Sequence, residues 1–333
     1  MGYEVREEPL GYEPLDLSKA APLPVPYNIM IDPSGSCNFR CCFCPCNNAK
    51  EQEETRHVIM DFDMFRKIVD GLKEFPKKIP VIDLYGVGEP FLNPHFIDMI
   101  RYVKEQDVCE YLRTTTNGSL LTPELCEKLV ASGLDYLKIS VEGLGAQQYR
   151  EFCEVDIDFE QFVQNIAYLY QISRGKMKIG TKIISASFRD EKDREVYMER
   201  FSPITDYTYI RNVQNNWAEF ENMVIPGGKQ DGVYAKNKIP KYEICSYPLT
   251  HMIVHANGDI GICCYDWKHG TAYAHVDQMT LAQAWNSEAL KEIRKKHLKR
   301  QKQDLLYCCN CKRKGYDNID VDAITILEKI EQE

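Results

Sequence analysis

From residue 27 to about 211 the chain alternates between short apolar runs and amphipathic stretches. The runs 27–31, 81–85, 111–115, 136–141, 178–184 and 207–210 read as strands. Helical spacing lies between them. Phe65, Ile68, Val69 and Leu72 follow a 3-and-4 pattern, as do Phe159, Phe162, Val163, Ile166 and Leu169. Thr122-Pro123-Glu124 reads as a helix start, with an oxygen cap followed by proline at the first helical position. Six strands, each followed by a helix or loop, predict an α/β fold: a parallel sheet with helices on one side, curling into a partial (β/α)6 TIM-like barrel. Chemistry in such folds sits at the C-terminal ends of the strands.

The alternation stops at 212–244, a loop-rich stretch containing Pro226-Gly227-Gly228 that reads as a linker. Beyond it, 251–255 and 259–263 flank Asn257-Gly258, a hairpin turn signal. A long helix is expected over 281–302, with Leu281, Trp285, Leu290 and Ile293 facing inward. Its basic run from Lys291 to Lys302 reads as a solvated face, and 323–330 as a short closing helix. The expected division is an N-terminal extension (1–26), a barrel domain (27–225) and a small α+β domain (226–333).

The net charge of −9 argues against a broad nucleic-acid-binding surface. The acidic, proline-rich start lacks a signal-peptide pattern, and no apolar run approaches the ~18 residues of a membrane span. A cytoplasmic location is expected. Fourteen cysteines in such a chain point to metal ligation rather than disulfides. They are grouped: five in 37–46, three in 245–264 and three in 308–311. Cys109 and Cys126 lie in apolar periodic segments and read as core.

Cys37, Cys41 and Cys44 form a C-x3-C-x2-C triplet just after the first strand. Three thiolates are one short of a closed tetrahedral site or a fully ligated four-iron cluster. A zinc knuckle, with Cys46 or His57 as fourth ligand, is the alternative on spacing alone. The triplet, with Phe43 before its last cysteine, resembles that of the radical S-adenosylmethionine (SAM) enzymes, where the open iron of a 4Fe–4S cluster chelates SAM. The resemblance gives the other strand ends a meaning. Gly86-Val87-Gly88-Glu89-Pro90 resembles the family's GGE-type motif, with Val87 replacing a glycine; it implies that the backbone at Gly86 and Gly88 and the acid Glu89 bind the SAM amino group. By the same resemblance Asn117, Ser140 and Glu142 contact the ribose or carboxylate of SAM. Arg150 is a candidate to neutralise that carboxylate, but the chain departs from the family pattern here, with Cys153 standing where the family's arginine is expected.

Cys245, twelve residues, Gly258, four residues and Cys263, followed by Cys308 and Cys311, resemble the SPASM/twitch extension. These four thiolates imply one closed auxiliary 4Fe–4S cluster; a four-cysteine zinc site has the same ligand count. The family resemblance implies reductive SAM cleavage to a 5′-deoxyadenosyl radical, hydrogen abstraction from a substrate C–H, and an electron donor such as flavodoxin or ferredoxin. A closed auxiliary cluster suits electron transfer or structural support, which resembles the aminocyclitol dehydrogenases; that resemblance implies oxidation of a secondary alcohol of a sugar- or cyclitol-like substrate, with Arg211 at the sixth strand end as a catalytic candidate. Epimerisation of a sugar or peptide is the alternative, with Cys153 and Cys264 as hydrogen-donating thiols. A zinc-stabilised, non-catalytic binding protein is the reading from another class.

Overall fold

A computed structural model describes residues 16–44, 57–211, 243–311 and 322–332. The boundary expected at 225/226, its Pro-Gly-Gly and Cys46 lie outside them. Nine strands form one sheet: β1 (Asn28–Ile31), β2 (Ile79–Asp83), β3 (Cys109–Thr116), β4 (Tyr136–Val141), β5 (Lys178–Ile184), β6 (Tyr207–Arg211), β7 (His251–Val254), β8 (Asp259–Gly261) and β9 (Ala274–His275). Their order is β6-β5-β4-β3-β2-β1-β7-β8-β9. The first six are mutually parallel neighbours in sequence order. β7 adds to β1 in parallel, with Asn28 opposite His251 and Ile31 opposite Val254, before the antiparallel β7–β8–β9 meander closes the row. The C-terminal hairpin is therefore part of the same sheet as the six expected strands.

Alternation along the strands divides the sheet faces. Leu137, Ile139 and Val141 of β4 join the core that holds Phe162, Ile166 and Leu169 of the helix Phe159–Ser173. Tyr136, Lys138 and Ser140 therefore take the other face. The expected helix start at Thr122 is present: its hydroxyl accepts from the Leu125 N–H at 3.2 Å, with Pro123 next.

The helix expected over 281–302 is two helices, Leu281–Trp285 and Glu288–Leu298. Ser287 causes the break, since its hydroxyl accepts from the Leu290 N–H and starts a new helix. Nor is the basic run wholly solvated. Arg294 and His297 are buried. The Arg294 guanidinium lies 4.1 Å from the Trp285 ring centroid and donates through Nε to the Pro248 carbonyl, while Trp285 Nε1 donates to the Leu23 carbonyl. Burial pushes His297 down to about 4. A second small core joins Leu17 and Ala21 to Ile244, Leu249, Leu298, Ile326 and Ile330, so the described N-terminal segment packs on the C-terminal helices.

On the face opposite the helices, Asp83 of β2 accepts from Asn28 Nδ2 of β1 at 2.8 Å and forms a two-point pair with Arg113 of β3. The Asp83 side chain is 3% exposed, so water contributes little to its solvation. Asp83→Ala should destabilise the fold by about 3–5 kcal/mol, the range for removing one partner of a buried pair. Denaturant unfolding of the anaerobic protein measures this; a loss under about 1 kcal/mol would contradict the assignment.

Candidate active site

Parallel pairing puts the C-terminal ends of β1 to β6 at one edge, and most of the sequence-predicted residues follow from that. Cys37, Cys41 and Cys44 lie in the loop after β1. Gly86 to Glu89 follow β2, Asn117 follows β3, Ser140 and Glu142 close β4, and Arg211 ends β6.

The β1 and β2 loops interlock through backbone. The Glu89 N–H donates to the Ser36 carbonyl at 2.7 Å. Gly88 lies so close to the Ser34 and Ser36 carbonyls that a Cβ there would collide with both. The Glu89 carboxylate is buried and turns toward β3: Oε1 accepts from Thr116 Oγ1 at 2.7 Å and the Phe91 N–H at 3.2 Å, and Oε2 from the Asn117 N–H at 2.7 Å. Burial pushes its carboxyl up to about 7, against the pull of those three donors. Both oxygens of Glu89 are thus used within the protein. Asn117 in turn donates from Nδ2 to Asn38 Oδ1 at 2.8 Å and lies 3.9 Å from Cys37 Sγ.

Beyond β4 the helix Ala146–Cys153 supports the cysteine loop. The Arg40 and Cys42 N–H groups donate to the Cys153 and Phe152 carbonyls at 2.9 and 2.7 Å. Tyr149 packs edge-on to Phe39 and its hydroxyl accepts from the Glu142 N–H at 3.2 Å. Glu142 is buried, and its Oε2 has no hydrogen-bond partner among the described residues; burial raises its carboxyl and Lys182 opposes the rise. Cys153 is fully buried, with its sulfur 3.5 Å from that of Cys41.

Three outcomes differ from expectation. Arg150 is exposed and pairs with Asp156 at 2.5 Å, so the structure does not bring it to the site. Lys182, which sequence reasoning did not single out, pairs in register with Ser140 from β5 and forms no salt bridge within the described residues. Asp32 was also missed: it is buried after β1, lies against Gly86, accepts from the Ser34 N–H, and is pushed up to about 7 by burial. Nothing in local composition marks either residue, because register and burial are tertiary properties.

Cysteine is the right donor for iron–sulfur ligation, and no described cysteine is in a disulfide. Burial pushes Cys37 up to about 12, with nearby Glu89 and Cys44 adding to it; the hydrogen bond to Cys153 and then burial raise Cys41, with Cys44 acting in the same direction. Among the described residues no three His, Cys, Asp or Glu side chains converge tightly enough for a single metal ion. The fit therefore rests on donor type and on the loops that carry the donors.

In the C-terminal region, burial pushes Cys308 up to about 12, with Cys245 and Cys311 as close acidic neighbours. Cys263 and Cys308 pack against the main core, whereas Cys309 is exposed. Gly258 turns the hairpin at φ +94, a conformation glycine adopts without strain. Cys264 places its sulfur 3.8 Å from the Tyr247 hydroxyl.

The profile of the radical SAM superfamily matches residues 31–198, just over half of the chain, and that of an iron–sulfur cluster-binding (SPASM) domain matches 245–312. The chain belongs to the radical SAM superfamily. Its cofactors are accordingly SAM, a 4Fe–4S cluster and an auxiliary cluster. The tungsten-containing aldehyde ferredoxin oxidoreductase cofactor-modifying protein of Pyrococcus furiosus is 24% identical over 78% of this chain and 81% of that one. Among solved structures, BtrN in complex with AdoMet and 2-DOIA superposes with a TM-score of 0.56 at 16% identity, over 87% of this chain and 94% of that chain. Native anSMEcpe with bound AdoMet gives 0.59 at 14% identity, over 92% and 96%. Both share the fold of this radical SAM protein. No helix among its described residues is long and apolar enough to cross a membrane.

Glu89→Gln tests the loop junction. An amide presents only one acceptor oxygen, so one of the groups now donating to Glu89 must face an N–H₂. We expect SAM affinity, measured by anaerobic calorimetry, to fall about tenfold with about 1–3 kcal/mol of stability lost; unchanged affinity would contradict the role.

Proposed function

We propose that this radical SAM protein oxidises a secondary alcohol of a sugar- or cyclitol-like substrate. The observation that carries the catalytic part is the gathering of the β2, β3 and β4 ends around the three-cysteine loop. Cys37, Cys41 and Cys44 would hold the SAM-binding cluster; Cys245, Cys263, Cys308 and Cys311 would hold the auxiliary one. When bound, these groups supply an electron and, from SAM, a 5′-deoxyadenosyl radical that takes hydrogen from an unactivated C–H.

The protein's part is to bind, orient and exclude water. Carbonyls of the 86–88 loop would receive the SAM amino group, since Glu89 is occupied within the protein. Asn117, Ser140 and Glu142 would hold ribose and methionine. Lys182, opposite Ser140, takes the carboxylate role that Arg150 does not reach. Arg211, stacked 5.3 Å from the Tyr209 ring centroid at the end of β6, would hydrogen-bond the substrate hydroxyl. Four thiolates leave the auxiliary cluster no iron for substrate, which supports its use as electron acceptor and hence an oxidation. A low-potential carrier such as flavodoxin or ferredoxin would supply the first electron.

The epimerase alternative needs a thiol facing substrate. Cys153, fully buried, does not suit that task, which leaves Cys264. The resemblance to a cofactor-modifying protein adds a cofactor to the substrate classes worth screening. The zinc-stabilised, non-catalytic alternative differs in a simple observable. Anaerobically purified protein should be brown with about eight irons if both sites hold four-iron clusters; a colourless zinc protein would overturn the proposal.

Replacing Cys37, Cys41 and Cys44 together with alanine should remove about half the iron and all 5′-deoxyadenosine formation. Persistence of that product would sink the ligand assignment. For Lys182→Met we expect SAM binding about 10- to 100-fold weaker, as for a lost hydrogen bond to a charged group at about 1.5–3 kcal/mol. An unaltered dissociation constant would return the carboxylate to another residue.

A further inference from the structure

Cys153 sits at the end of the helix Ala146–Cys153, far in sequence from the cysteine loop, yet its sulfur lies 3.5 Å from Cys41 Sγ. The placement is held by backbone. Hydrogen bonds from Arg40 to Cys153 and from Cys42 to Phe152 bracket Cys41, and neither depends on either thiol. The ring of Phe39 on Tyr149 anchors the same junction. Cys153 is shielded from solvent, so the usual competitor for its S–H, water, is absent.

We propose that Cys153 is a positioning and tuning residue for the SAM-binding cluster, donating an S–H···S hydrogen bond to the Cys41 thiolate. The inference rests on the reading of Cys41 as a ligand of that cluster. Between the two thiols the contact runs from Cys41 to Cys153; once Cys41 gives up its proton as a thiolate ligand the direction reverses, and the S–H of Cys153 becomes the donor. A hydrogen bond to a ligand sulfur withdraws charge from it and favours the more negative, reduced cluster, so it raises the reduction potential. Cys153 acts through Cys41 and need not touch SAM or substrate.

The test uses the full-length anaerobic holoenzyme and follows the reduced-cluster electron paramagnetic resonance signal that changes when SAM is added, which separates it from the auxiliary cluster. Cys153→Ala should shift the midpoint potential of that signal downward, and Cys153→Ser, which keeps an O–H donor, should restore part of the shift. Equal potentials in the wild type and both variants would overturn the proposal. A second measurement needs no variant. Iron-stripped wild-type chain is exposed to dioxygen without reductant: the two thiols lose their protons, the S–S bond forms, and two electrons pass to dioxygen to give hydrogen peroxide. Peptide mapping should recover Cys41 joined to Cys153; recovery of Cys153 as a thiol, with Cys41 joined elsewhere, would overturn the contact. If wild-type holoenzyme lacks the SAM-sensitive signal, the ligand reading itself fails; with the signal present, only the role of Cys153 is at stake.

Discussion

One buried carboxylate fixes the relative position of the loops that make the site. Glu89 receives three hydrogen bonds from the β3 end and from its own turn, and its backbone N–H reaches back to the loop of Cys37. A charged group with almost no exposure is tolerated only when its lone pairs are filled. That requirement runs in both directions. The donors at Thr116 and Asn117 must stay in place for Glu89 to remain buried, and Glu89 must stay for Asn117 to reach Asn38 and Cys37. The loops after β1, β2 and β3 are therefore coupled through one another's hydrogen bonds.

The second constraint is the continuity of the sheet. Because β7 pairs with β1, and the Asp32 N–H extends the ladder to the Val254 carbonyl, the hairpin carrying Cys263 is hydrogen-bonded to the strand that leads into Cys37. The two cysteine groups are spaced by one stretch of sheet rather than by a linker alone. The packing of Leu17 and Ala21 on the C-terminal helices adds a further tie between the chain's distant parts.

Much of this was legible in the residues. Runs of apolar positions located the six parallel strands to within a few residues, and Asn257-Gly258 located the hairpin. The cysteine spacings, read with the glycines between them, pointed to the superfamily that the profile match establishes. What failed did so for tertiary reasons. Arg150 lies on the helix beside the cysteine loop, but that helix presents it to solvent, where Asp156 takes it. Lys182 became visible only through the register that places it beside Ser140. Arg294 and His297 looked like members of a solvated basic run because a charge pattern does not show which turn of a helix meets Trp285.

The sheet face opposite the helices shows the same demand for matched polar groups. Parallel barrels commonly fill that side with branched aliphatic side chains. Here it carries Tyr136 and Tyr209, whose hydroxyls meet at 3.1 Å, with Lys138 lying 5.6 Å from the Tyr85 ring centroid and Arg113 paired to Asp83. Gly180 leaves room for the Tyr136 hydroxyl that a larger residue would fill. These groups partner one another, as Glu89 and its donors do; a buried donor or acceptor left unmatched would cost about 1–3 kcal/mol. A face that makes a poor aliphatic core is thus held together by side chains that satisfy one another across neighbouring strands.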